Sequence, residues 1–116
     1  MKHLESIIED YIEKMKRDYN MIGAMVTGSY VAGNMKSSSD IDIFFIWNED
    51  NKSIRGREFY KSVEFEYFIS PKWKYYERLE SDLTSQQIYA TGQIIFDTNN
   101  IFKNIQKKAI PVNQIS

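Results

Sequence analysis

Thr27-Gly28-Ser29-Tyr30-Val31-Ala32-Gly33-Asn34-Met35-Lys36-Ser37-Ser38-Ser39-Asp40-Ile41-Asp42-Ile43-Phe44-Phe45-Ile46 is the stretch whose reading decides the fold. A Gly-Ser turn follows one apolar strand, Ile22 to Val26. An Asp-x-Asp opens a second, Ile41 to Trp47. Residues i and i+2 of a strand point to the same face, so Asp40 and Asp42 set two carboxylates side by side. Like charges there repel, and a purely structural sheet gains nothing from them. A divalent cation removes the penalty, and hard oxygen ligands of this kind suit magnesium. Gly28 has no side chain, so a ligand can approach its backbone closely. Ser29 adds a hydroxyl, and N–H groups of a short helical turn over 29–34 suit an anion. A phosphate held there faces Asp40 and Asp42 across the loop. Ser39, at the end of that loop, is a further candidate phosphate contact.

Sites that clamp metal and phosphate usually need a third carboxylate. The segment Val63-Glu64-Phe65-Glu66-Tyr67-Phe68-Ile69 offers two. Glu64 and Glu66 share one strand face, while Val63, Phe65, Tyr67 and Ile69 share the other. Glu66 is the expected ligand or proton acceptor, because it lies further along the strand. Each motif also has a plain structural reading. A Gly-Ser pair is commonly only a turn. Asp40 can cap a loop, Asp42 can be an edge-strand charge, and alternating Glu residues usually mark a solvated face. It is their combination at this spacing that points to a nucleotide site.

Composition narrows the chemistry. The chain has 116 residues, 42% of them apolar and 27% charged, which suits one globular domain over 1–116. Its tail, 110–116, carries Pro111 without periodicity and reads as a disordered end or a truncated linker. No Cys is present, which excludes disulfides and thiolate metal sites. His3 is the single histidine, so a Ser-His-Asp triad or His-based zinc site is not available within the chain. The formal charge of −1 argues against general nucleic-acid binding through a basic surface. No apolar run suits a membrane span or a signal peptide, so the expected location is cytoplasmic.

Outward from the motif, Leu4, Ile7, Ile8, Tyr11, Ile12 and Met15 recur at helical spacing and predict a helix over 4–19. Arg57 to Tyr60 and Val63 to Ile69 predict a hairpin turning at Lys61-Ser62. Pro71 suits the first turn of a helix over 71–80, with Ser70 as its cap. Leu83 to Ala90 reads as a second helix closed near Gly92. Gln93 to Phe96 is a short strand, and Asn99 or Asn100 is the expected cap of a last helix to about Ala109. Asp97 reads as a turn or cap residue. This order implies an α/β (α+β) fold, a mixed sheet with helices on one side. Tyr30, Trp47, Tyr60, Trp73, Tyr75 and Tyr76 read as core or interface rather than as base-stacking platforms, with a partner surface around Trp73 to Tyr76.

Gly28-Ser29, eleven intervening residues and apolar-flanked Asp40-Ile41-Asp42 resemble the DNA polymerase beta-type nucleotidyltransferase superfamily. The later acidic strand is similar to that family's third carboxylate, and Gly92-Gln93-Ile94-Ile95-Phe96-Asp97 to a segment of small bacterial members. The resemblance covers about residues 20–110. It implies the nucleotidyltransferase fold, a mixed sheet flanked by helices. It also implies transfer of a nucleoside monophosphate, AMP from ATP, to an acceptor hydroxyl, with release of pyrophosphate. Gly28, Ser29 and Ser39 would hold the triphosphate, and Asp40, Asp42 and Glu66 two Mg2+ ions. The acceptor would be a small molecule or a partner protein. Many minimal members carry Arg where this chain has Ala32; Lys36 is a candidate replacement. Larger members add a helical C-terminal domain, for which this chain is too short; either a homodimer or partner subunit would supply that wall, or the chain is a minimal or truncated form. Two other readings remain: a nucleotide-binding or protein-interaction module of the same fold with weak or no turnover, and a phosphohydrolase using the Asp pair with water.

Overall fold

The computed structural model describes residues 2–28, 40–48 and 51–115, with side chains from 4 to 109 within those ranges. The predicted short turn over 29–34, Ser29, Lys36 and Ser39 lie outside them. Helix α1 (Lys2–Asp18) leads into β1 (Met21–Thr27). Strand β2 (Ile41–Trp47) is followed by the hairpin β3 (Ile54–Tyr60) and β4 (Val63–Ser70). Helices α2 (Lys72–Ser81) and α3 (Leu83–Thr91) precede β5 (Gln93–Asp97). A 3-10 turn (Thr98–Asn100) then opens α4 (Ile101–Ile115). The last helix thus runs past Ala109, where the sequence pattern stops predicting it.

The strands form one sheet in the order β3-β4-β2-β1-β5. Strands β2 and β4 run parallel, and every other pair is antiparallel. Helices cover both faces rather than the expected one. Strand β2 shows why: five of its residues in a row, Ile43 to Trp47, are buried. Such a run needs cover above and below, unlike an alternating strand with one wet face. On one face α1 sets Ile7, Ile8, Tyr11, Ile12 and Met15 against Ile41, Ile43, Phe45 and Phe65. Tyr11 stacks on Phe65 at a centroid separation of 4.1 Å, and its hydroxyl donates to Glu58 at 2.7 Å. On the other face α2, α3 and α4 bring Tyr75, Leu79, Tyr89, Phe102 and Ile105 onto Met25, Phe44 and Ile46.

The β3–β4 hairpin turns at Lys61-Ser62 as predicted, without Gly or Asn. Both residues take positive φ, 50° and 69°. That is the backbone a two-residue hairpin turn demands, and it is costly for non-glycine residues. The Lys61 ammonium meets the Asp10 carboxylate at 2.7 Å, which ties the turn to α1. Across the hairpin Gly56 stands opposite Tyr67, and a Cβ at Gly56 would collide with the tyrosine ring.

The caps expected at Ser70 and at Asn99 or Asn100 are not found there, while Asp97 is a cap as its cap reading allowed. Ser70 ends β4 and does not cap α2; its hydroxyl lies 3.0 Å from that of Ser53, and Pro71 takes the cap position. The last helix is capped by Asp97, whose carboxylate accepts from the Phe102 and Lys103 N–H groups at 2.7 and 2.9 Å. Asn99 and Asn100 instead take the left-handed turn before it, each at φ 56°. A carboxylate satisfies free N–H groups at a helix start more strongly than an amide oxygen does.

Candidate functional site

Strands β2 and β4 run in the same direction with Asp42 directly opposite Glu66. Since both strands alternate sides with the same phase, the two carboxylates share the sheet face covered further along by α2–α4. Asp40, just before β2, joins them. Carboxylate oxygens of Asp40, Asp42 and Glu66 all lie within 4.8 Å of one another, and all three residues are half-buried. Thr27, at the end of β1, pairs with Asp42 from the other side. That pairing brings the Gly28 turn against the cluster. Gly28 holds φ +87°, and a Cβ there would stand 3.1 Å from Asp42 Oδ2. Glycine is favoured on both counts.

The electrostatics follow from the crowding. Burial, then the Asp40 and Glu66 charges, push the Asp42 carboxyl up to about 6, while Arg57 and Arg55 pull it down. A carboxyl among like charges in a half-buried setting holds its proton more tightly than one in water.

Those two arginines were not singled out in the sequence. Arg57, on β3, stands opposite Glu66, and its guanidinium lies 3.2 Å from that carboxylate and 3.8 Å from Glu64. It also donates to Asp40. Arg55 donates twice to Glu66 Oε2, at 2.9 and 3.0 Å, and lies over the Phe68 ring at 5.1 Å. Its neighbours, Glu66 foremost and then Asp40 and Glu64, raise the Arg57 pKa further. A signal for these pairs was present. A two-residue turn at Lys61-Ser62 fixes the hairpin register and puts Arg57 across from Glu66. Of the two strand glutamates, Glu66 reaches the aspartates, and Glu64 stands aside against Arg57.

The cluster is therefore four carboxylates, with Glu64, against two guanidiniums. The surplus negative charge matches a divalent cation, and the donors are all hard oxygen atoms. Beyond it the face descends into a cleft of about 380 Å3 between β2, β3, β4 and helices α2 and α3. The aromatic residues behave mostly as core: Trp47 and Tyr60 pack on the α1 side and Tyr75 is fully buried, while Trp73 is exposed. Among the described residues no helix is long and apolar enough to cross a membrane.

The family model described as Polymerase beta, Nucleotidyltransferase matches residues 9–101, which takes in the Gly-Ser turn, the Asp pair and the acidic strand. Among solved structures, a nucleotidyltransferase-like protein from Exiguobacterium sibiricum 255-15 superposes with a TM-score of 0.67 at 11% identity. The match takes in 92% of this chain and 38% of that one, so this chain spans well under half the length of that protein. At such identity the likeness speaks for the fold. Nothing matches among curated proteins. With four-fifths of its length under one family pattern, the chain belongs to the Polymerase beta nucleotidyltransferase family.

Proposed function

We propose that this chain transfers a nucleoside monophosphate, AMP from ATP, to a hydroxyl of a small molecule or partner protein, with magnesium as its cofactor. The observation that carries the reading is the meeting of Asp40, Asp42 and Glu66 from two adjacent strands beside the Gly28 turn. These three would hold the Mg2+ ions. When bound, magnesium would neutralise charge on the phosphate oxygens and template an in-line displacement.

The chain's own groups divide the remaining work. The backbone at Gly28 admits a phosphate close to Asp42, and the proposal extends this grip to Ser29 and Ser39. Glu66 accepts the proton of the attacking hydroxyl. The acceptor oxygen bonds to the α-phosphorus as the bond to the pyrophosphate oxygen breaks, and pyrophosphate leaves. Arg57, released from Asp40 and Glu66 when a cation takes its place, would be positioned to meet phosphate oxygens. It would supply on β3 the positive charge that Ala32 lacks.

Incubation with α-labelled ATP, GTP, CTP and UTP, magnesium and a panel of acceptors tests this. Transfer of label with release of pyrophosphate, lost in Asp42→Ala, is the expected result. Absence of transfer with every triphosphate, together with unchanged nucleotide affinity in Asp42→Ala, would overturn it. One observation favours a binding module instead: the Arg57 guanidinium pairs with Asp40 and Glu66, two of the carboxylates a cation would use. Nucleotide binding without turnover would favour that second reading.

A further inference from the structure

The cleft beside the carboxylates has a chemical character of its own. Two residues along β2 from Asp42 lies Phe44, and two along β4 from Glu66 lies Phe68. Their rings stack at 4.5 Å between centroids and form the floor with Tyr89. A strand rises about 3.3 Å per residue, so this floor begins roughly 7 Å from the carboxylates. Arg55 from β3 and Arg78 from α2 stand on its walls. The Gly28 turn lies on the β1 side of Asp42, whereas the cleft opens on the β3 and β4 side. In-line displacement puts the attacking hydroxyl opposite the departing pyrophosphate. With the triphosphate at Gly28, the cleft is on the acceptor's side.

Charge then selects the acceptor. Among the described residues the single carboxylate on the walls is Asp82, which accepts from the Thr84 N–H at 3.2 Å and the Ser85 hydroxyl at 2.6 Å, capping α3. Arg78 meets no carboxylate among the described residues; its nearest polar partner is the Tyr89 hydroxyl at 3.5 Å. Arg55, also on the wall, spends Nε and Nη2 on Glu66, leaving Nη1 without a carboxylate partner among the described residues. The Arg78 guanidinium, without a carboxylate, and the one remaining nitrogen of Arg55 beside an aromatic floor suit an anion carried on an apolar or aromatic body. The volume is within the range of small-ligand sites, about 300–1,000 Å3.

We infer that the cleft lined by Arg55, Arg78 and the Phe44–Phe68 floor is an acceptor site for a small hydroxylated compound bearing a carboxylate or phosphate, and that it rejects polycations. This rests on the nucleotidyltransferase reading, and it is tested by binding, which needs no turnover. Three phenols of equal size serve as probes: 4-hydroxyphenylacetate (anion), 4-hydroxyphenylacetamide (neutral) and tyramine (cation). Each is titrated into the folded protein and followed by the NMR signals of the arginine side chains and the aromatic rings.

The expected result is that the anion shifts Arg78 and Phe68 signals and binds at least about tenfold tighter than tyramine. Arg78→Gln removes that preference while thermal stability and ATP affinity hold. Equal binding of all three probes, preference for tyramine, or anion binding that survives both Arg78→Gln and Arg55→Gln would overturn the inference. So would displacement of the anion by magnesium-ATP, which would assign the cleft to the nucleotide. If ATP fails to bind at all while the anion prefers the cleft, the nucleotidyltransferase reading falls and the anion site stands.

Discussion

Arg57 and Glu66 stand directly opposite each other across the β3–β4 hairpin, 3.2 Å apart, and the same guanidinium reaches back to Asp40. A cation bound to the triad must displace this internal one. Arg57→Gln therefore raises the affinity of nucleotide-free protein for Mn2+ or Mg2+, by about threefold to tenfold given the modest strength of solvent-exposed ion pairs. Calorimetric titration checks it; weaker metal binding in the variant would show that Arg57 supports the site rather than competing for it. With ATP present the same variant loses phosphate contact, so transfer slows.

Asp42 carries the pH dependence. Its folded-state value of about 6 exceeds the usual 3.8. Below about pH 3.8 the group is protonated in both folded and unfolded chains. Between the two values only the folded protein keeps the proton, so stability falls as pH rises. Above about 6 the whole cost is present. Metal-free Asp42→Asn is consequently more stable than the natural chain at pH 7.5, by on the order of 1–2 kcal/mol after allowing for solvent screening. The gain disappears near pH 4. Denaturant titrations at the two pH values measure it. Metal needs the ionised carboxylate, so divalent-ion affinity drops by up to about tenfold per pH unit below about 6.

Gly28→Ala strains a backbone at φ +87° and drives a methyl group toward Asp42 Oδ2. The expected cost is about 1–2 kcal/mol of stability. Divalent-ion and ATP binding weaken as well, because Asp42 must move. A variant with unchanged metal affinity would mean that the turn does not brace the cluster.

Tyr75 is fully buried and donates its hydroxyl to the Phe45 carbonyl at 2.8 Å. Tyr75→Phe keeps the ring and deletes the donor, costing about 1–2 kcal/mol. Asp97→Ala removes the carboxylate that two N–H groups of α4 share, costing about 1 kcal/mol. Asn99→Gly, at a left-handed position, is neutral by comparison. Urea melts of the three variants rank them, and a larger loss in Asn99→Gly than in Asp97→Ala would reverse the cap assignment.

Much of this protein is written locally. Strand β2 spans Ile41–Trp47 as its apolar run predicts, and the other described elements follow their periodicities within a few residues, except that the last helix continues to Ile115. The Asp-x-Asp spacing alone places two carboxylates on one face, because strand alternation is a property of the backbone. The Lys61-Ser62 turn even encodes the partner of Glu66, once the hairpin register is counted from it.

What the sequence alone did not decide is everything that depends on which strand lies beside which. That β4 lies parallel beside β2 puts Glu66 across from Asp42, and helices on each side bury both faces of β2. Helices on two faces rather than one, and the reach of Arg57 from β3 on to Asp40, share that origin. Local periodicity fixes where a side chain points within its own element. Only the packing of elements against one another, driven by burial of apolar surface, fixes what stands opposite.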